Sequence, residues 1–157
     1  MAADKGDPAY PNDRDRPLTE EGIKKTREAA EGLKRLQINF DKILTSPWVR
    51  AIQTAQIAAE VLEMTARLEN LPELEGNRSV DELVKAIGDR RAARLLLVGH
   101  EPLLGRTMAH LLRPGQALDI DLKKSGAGAV EVQSLPPRDP GTLLWLMTAK
   151  QLRMLAK

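Results

Sequence analysis

The chain has no cysteine, and only two Trp, one Tyr and one Phe among 157 residues. A disulfide scaffold, a thiolate nucleophile and a cysteine-based metal site are therefore excluded, which suits a reducing compartment. The core must be built from Leu, Ile, Val, Ala and Met. No apolar run approaches the ~20 residues that span a bilayer. The N-terminus, Met1-Ala2-Ala3-Asp4-Lys5, lacks the apolar stretch of a signal peptide. A cytoplasmic protein that does not engage a membrane is expected. The net charge is only +2, and no Lys/Arg block alternates with aromatics, so nucleic acid is not an expected partner. Histidine is scarce as well: His100 and His110 are the two. Their placement on separate elements does not make a metal site, and neither a metal nor a cofactor is expected.

What is present reads as a single domain over residues 1–157, long enough to bury a substantial core. Residues 1–18 are rich in Pro, Asp, Arg and Gly and form a loop-rich N-terminus. Thr19 caps a helix with Glu20 and Glu21 in its first turn, and Ile23, Ala30, Leu33 and Leu36 supply its apolar stripe. A short strand spans 40–45. Ser46 and Pro47 then open a second helix as N-cap and first residue, running to about Glu63. Ser79-Val80-Asp81-Glu82 is a capping box for a short helix that ends near Gly88.

Leu95-Leu96-Leu97-Val98 reads as a strand buried on both faces. A helix follows from Pro102 to about Leu112. Residues 129–133 and 143–147 form a hairpin around Pro136-Pro137-Arg138-Asp139-Pro140-Gly141. Strands alternating with helices predict an α/β three-layer sandwich with a mostly parallel sheet.

Chemistry in such sheets gathers beyond the carboxyl ends of the strands. His100 lies there, after Gly99. Arg50 lies near the first turn of the helix behind Ser46, where orphan amides and a planar guanidinium favour an anion. Arg16 stands in extended backbone ahead of Pro17, at the entrance to the first helix. Each also has a plainer reading. His100 is then a satisfied core histidine, Arg50 a solvated helix residue, and Arg16 a loop cation paired with Asp13 or Asp15. Glu73, in a loop between Pro72 and Leu74, is a candidate proton donor or a merely solvated carboxylate. His110, in mid-helix, reads as structural. Ser125-Gly126-Ala127-Gly128 lacks the spacing and lysine of a phosphate loop.

Three segments together resemble the histidine phosphatase superfamily, in its small, cap-less SixA-type phosphohistidine phosphatase branch. They are Arg16-Pro17-Leu18-Thr19-Glu20-Glu21-Gly22, the run from Ile43 through Ser46-Pro47-Trp48-Val49-Arg50 to Ala55, and Val98-Gly99-His100-Glu101-Pro102. They occur in family order. The resemblance implies a phosphoglycerate mutase-like fold and a cationic phosphate pocket formed by Arg16, Arg50 and His100, with Glu73 as a weak candidate for the acid. It implies a phosphohistidine-bearing protein as partner, such as a histidine phosphotransfer domain, and phosphate or sulfate as a pocket ligand.

The family's first, central strand ends in Arg-His, and that histidine is the nucleophile. The motif would end just ahead of Met1. The expectation is a polypeptide with an upstream start, of which residues 1–157 alone are inactive. The alternatives are a phosphoryl-binding module without turnover and a small-molecule phosphatase of the same fold.

Overall fold

The computed structural model describes residues 2–157. Met1, which heads the polar N-terminus noted above, lies outside them. After a loop containing one 3-10 turn, Asp13–Asp15, the chain forms helix α1 (Glu20–Arg35), strand β1 (Lys42–Thr45), helix α2 (Val49–Val61) and strand β2 (Leu68–Asn70). Helix α3 (Val80–Gly88), strand β3 (Leu95–Val98) and helix α4 (Leu103–Leu112) follow. Strands β4 (Ala127–Glu131) and β5 (Thr142–Met147) and helix α5 (Ala149–Leu155) complete the chain.

Several ends are set as the sequence requires. The Thr19 side chain accepts from the Gly22 amide, and Ser79 and Glu82 close the expected capping box on α3. A second capping box, Thr148 with Gln151, starts α5.

The strands form two sheets. In one, β1 lies between β2 and β3, all parallel; in the other, β4 and β5 pair antiparallel. The β1–β3 register sets Lys42 against Leu95 and Thr45 against Val98. Period-two alternation splits the core to either side of the parallel sheet. Leu44 joins Leu71, Leu74, Leu83, Ile87 and Leu103, with Leu95 and Leu97 against them. Ile43 joins Ala55, Ala59 and Met64 of the opposite layer, with Leu96 and Val98. Helices α3 and α4 thus cover one face and α2 the other, the expected three-layer arrangement.

Three expectations need correction. Each residue of β3 is half-buried rather than buried. Helices cover both faces, but the edge of β3 turned away from β1 has no strand beside it among the described residues. Ser46 and Pro47 do not open α2. The helix begins at Val49 with Trp48 as N-cap and no side-chain cap bond; the Ser46 hydroxyl accepts the Trp48 amide at 3.4 Å, too early in the chain to cap it. Pro102 stands at the N-cap of α4 rather than inside it. Strand β2 has no apolar alternation to announce it and exists through its pairing with β1.

Helix α1 lies in the layer of α2 and packs on α5. The closest approach is at Gly32, where a Cβ would run into the Leu152 backbone carbonyl. Alanine ordinarily favours a helix over glycine by about 1 kcal/mol, but overpacking against backbone costs typically 1–3 kcal/mol. Gly32→Ala should therefore lower stability, with a melting temperature reduced by roughly 2–6 °C. A urea midpoint that rises in this variant would show that α1 and α5 separate freely.

Candidate functional site

The amide of Ser46 donates to the Val98 carbonyl at 2.9 Å. This bond carries the β1–β3 pairing one residue past β1 and sets the chain ends after the two strands side by side. Ser46 is fully buried, and its Oγ lies 2.9 Å from Nε2 of His100. The Trp48 ring leans on the His100 ring with centroids 4.4 Å apart. The Arg50 guanidinium stands 4.7 Å from the centroid of the same Trp48 ring, in cation–π range. Trp48 therefore fixes both the histidine and the arginine.

Arg16 arrives from the N-terminal loop in the extended backbone expected ahead of a proline, at φ −64° and ψ 120°. Its segment is tied to α2 by the Leu18 amide, which donates to Gln53 Oε1 at 2.7 Å. Arg16 and Arg50 converge on Asp13. Nε of Arg16 donates to Asp13 Oδ1 at 2.7 Å, and its Nη2 pairs with the same oxygen. Nη2 of Arg50 donates to Asp13 Oδ2 at 2.9 Å, and its Nη1 to the Asp13 backbone carbonyl. Nη1 of Arg16 donates to the Ala3 carbonyl at 2.6 Å. The plain reading of Arg16 as a partner of a nearby aspartate therefore describes its contact. Asp15 instead accepts from Asn12.

Charge and burial set the protonation states. Burial, reinforced by the neighbouring Arg50 charge and only partly offset by Asp13, pulls the His100 pKa from its usual 6.5 to about 4. The ring is neutral at pH 7. For Asp13, burial works to raise the pKa, but hydrogen bonds from Arg50 and Arg16 outweigh it and hold the carboxyl below its usual range.

Glu73 lies in the 3-10 turn Pro72–Leu74. That loop continues past His100, whose Cβ lies 3.3 Å from where a Gly76 Cβ would stand. The next acid, Glu75, pairs with Arg14 and Arg78, whereas no hydrogen bond or ion pair among the described residues involves the Glu73 side chain. His110 is half-buried in α4, away from the strand ends. Of the four residues singled out, Arg16, Arg50 and His100 are joined through Asp13, Trp48 and Ser46, and Glu73 is outside that web. The roles of Ser46 and Trp48 had no signal in sequence. The Arg50–Asp13 pair spans 37 positions, beyond any local rule.

Comparison with known proteins gives the family. The family model described as histidine phosphatase superfamily (branch 1) matches residues 5–78. An uncharacterized protein of Picosynechococcus is 34% identical over 85% of this chain and 84% of its own length. Phosphohistidine phosphatase SixA of Escherichia coli K12 is 30% identical over 91% of this chain and 88% of its own. The chain belongs to the histidine phosphatase superfamily. A solved structure of the protein histidine phosphatase SixA complexed with tungstate superposes with a TM-score of 0.78 at 28% identity, covering 97% of this chain and 94% of that one. Within the histidine phosphatase superfamily the resemblance is thus to the SixA-type branch, and the α/β fold is that of its members.

The neutral His100 makes stability depend on pH with a definite sign. Its folded pKa lies below its ordinary value, so on acidification the unfolded chain takes up the proton first. The contribution is complete above pH 6.5 and is lost as pH falls toward about 4. Melting temperatures measured across that window should fall for the natural chain and flatten in His100→Gln. Loss of the Asp13 interactions belongs below the usual carboxyl pKa of 3.8, so the two effects separate. Parallel curves for the natural chain and His100→Gln would show a solvated, ordinary histidine.

Proposed function

We propose that this chain forms the phosphoryl-binding body of a phosphohistidine phosphatase, which removes the phosphoryl group from a histidine of a partner protein, such as a histidine phosphotransfer domain, in the cytoplasm. The observation that carries this reading is the convergence of Arg16 and Arg50 beside a neutral His100 at the strand ends, in a chain 30% identical to SixA. Two fixed guanidiniums suit the charge that spreads over the equatorial oxygens of a phosphoryl group in transfer. In this reading Ser46 donates to Nε2, which puts the His100 ring proton on Nδ1 as a further donor to one of those oxygens. Residues between Leu62 and Arg94 leave no room for a large covering insertion. An open site favours a protein-borne phosphohistidine over a small ester that must be enclosed.

Covalent catalysis requires a nucleophilic histidine in addition to His100, and His110 lies on the wrong element. In this reading the nucleophile enters at the end of a strand laid between β3 and β4. Both strands have an unpaired edge among the described residues. Both also pack on α4: Leu103 joins the core beside Leu95 and Leu97, and Gly128 of β4 lies against Met108, whose Cε is 2.5 Å from where a Cβ would stand. Parallel strands left half-buried at an edge gain by such pairing, both in ladder bonds and in apolar area at ~25 cal/mol per Å².

Three outcomes are expected. Residues 1–157 alone bind vanadate in isothermal titration, with roughly tenfold to hundredfold weaker binding in Arg50→Ala because charge-assisted bonds are lost. They show negligible turnover of phosphohistidine peptide. An N-terminal extension with an apolar strand ending in Arg-His then raises both the melting temperature and the hydrolysis rate. An extended chain that binds vanadate but is neither more stable nor active would make this a binding module instead.

A further inference from the structure

Asp13 does more than balance charge. A guanidinium grips an oxyanion through paired N–H groups on one edge. Arg16 presents such an edge, Nε and Nη2, to the Asp13 carboxylate. Arg50 turns both terminal nitrogens to the same residue, one to the carboxylate and one to the backbone carbonyl. One carboxylate thus fills the place between two arginines where a ligand anion would be held. It also lies on the solvent side. The Asp13 side chain is 37% exposed, against 13% for Arg16 and 17% for Arg50. Its 3-10 turn, Asp13–Asp15, has no buried residue and no side-chain cap bond from Asn12, so moving it disrupts no core packing.

We propose that Asp13 is a specificity-determining residue of the pocket: its carboxylate stands in for the substrate anion between Arg16 and Arg50 and yields only to a doubly charged oxyanion. The inference rests on the phosphoryl-pocket reading above and adds to it a condition for entry. The two guanidiniums carry two positive charges and His100 none, so with Asp13 in place one positive charge is left over. A free monoanion offers each arginine no more than Asp13 already does, and Asp13 is tethered, with an effective concentration on the order of millimolar or above. A phosphoryl group reaches both arginines as Asp13 does and adds a further charge and a third oxygen. Carboxylates and other abundant monoanions are thereby kept out of a site that must recognise phosphohistidine.

Titration of the natural chain and of Asp13→Asn with tungstate and with formate tests this. The natural chain should bind tungstate and show no formate binding. Asp13→Asn should bind tungstate roughly tenfold more tightly, as expected when a competing closed form filled most of the population, and should bind formate measurably. Its melting temperature without anion should drop, since two arginines are left uncompensated, and should rise more on adding tungstate than that of the natural chain. A cooperatively folded Asp13→Asn that binds tungstate no better, or less well, overturns the proposal while leaving the pocket intact; Asp13 is then a positioning residue for the arginines. Absence of tungstate binding in both proteins removes the pocket reading and the proposal together. Should Asp13→Asn not fold, the tungstate complex of the natural chain decides: Asp13 still bonded to both arginines overturns the proposal, and arginines turned from Asp13 to tungstate support it.

Discussion

The parallel pairing of β1 with β3 is the constraint on which the site depends. Four residue pairs, from Lys42–Leu95 to Thr45–Val98, and the added Ser46–Val98 bond bring the chain ends after these strands level. A slip of one residue would turn Ile43 and Leu44 to the wrong helical layers. Both are fully buried, so the slip would expose apolar surface on both faces of the sheet. The same slip would part Ser46 from His100. Core packing and site geometry are therefore held by a single register, and the register is enforced by the burial of side chains that take no part in the chemistry.

Around that frame the charges do not balance. Arg16 and Arg50 are mostly buried, and buried cations require partners. They obtain them from one aspartate, from backbone carbonyls and from the Trp48 face. His100 does not add a third charge, because burial and Arg50 keep it neutral. The site thus gathers two guanidinium charges beside a neutral imidazole. That division of labour is what an anion carrying several oxygens can use.

The extent to which these features were legible in the sequence follows from how local their causes are. Thr19, Ser79 and the run 95–98 act within a few residues, and their structural consequences match the expectation, with β3 correct in place and only its burial overestimated. The hairpin was legible through its turn residues. Strand β2 was not, because three residues, Leu68-Glu69-Asn70, form a strand only when β1 is present to pair with. Helix α5 carries a capping box in Thr148 and Gln151, a signal present in the sequence but not assigned to a helix. Ser46 shows the limit of local rules. As a residue type it is a good N-cap, yet its hydroxyl meets the Trp48 amide ahead of the helix and Nε2 of a histidine 54 positions away. A ring nitrogen left without a partner would cost about 1–3 kcal/mol, and a hydroxyl can donate to it while accepting an amide.

Contact at such a distance also explains why the arginines were easier to find than their arrangement. Arg16 and Arg50 each sit at a helix entrance, a local property. Their meeting at Asp13 depends on where the N-terminal loop crosses α2, which is set by the Leu18–Gln53 bond and by the pairing of Ala2 with Leu18. The loop is therefore part of the site in a physical sense: it contributes one arginine, the acid that spans both, and the strand-like contact that fixes their spacing. Its turn has no buried residue of its own, so Asp13 is held by the two arginines, whereas Arg16 stands beside the anchored Leu18. The position of Asp13 is thus set by the guanidiniums it spans rather than by packing, and that of Arg16 by the chain that follows it.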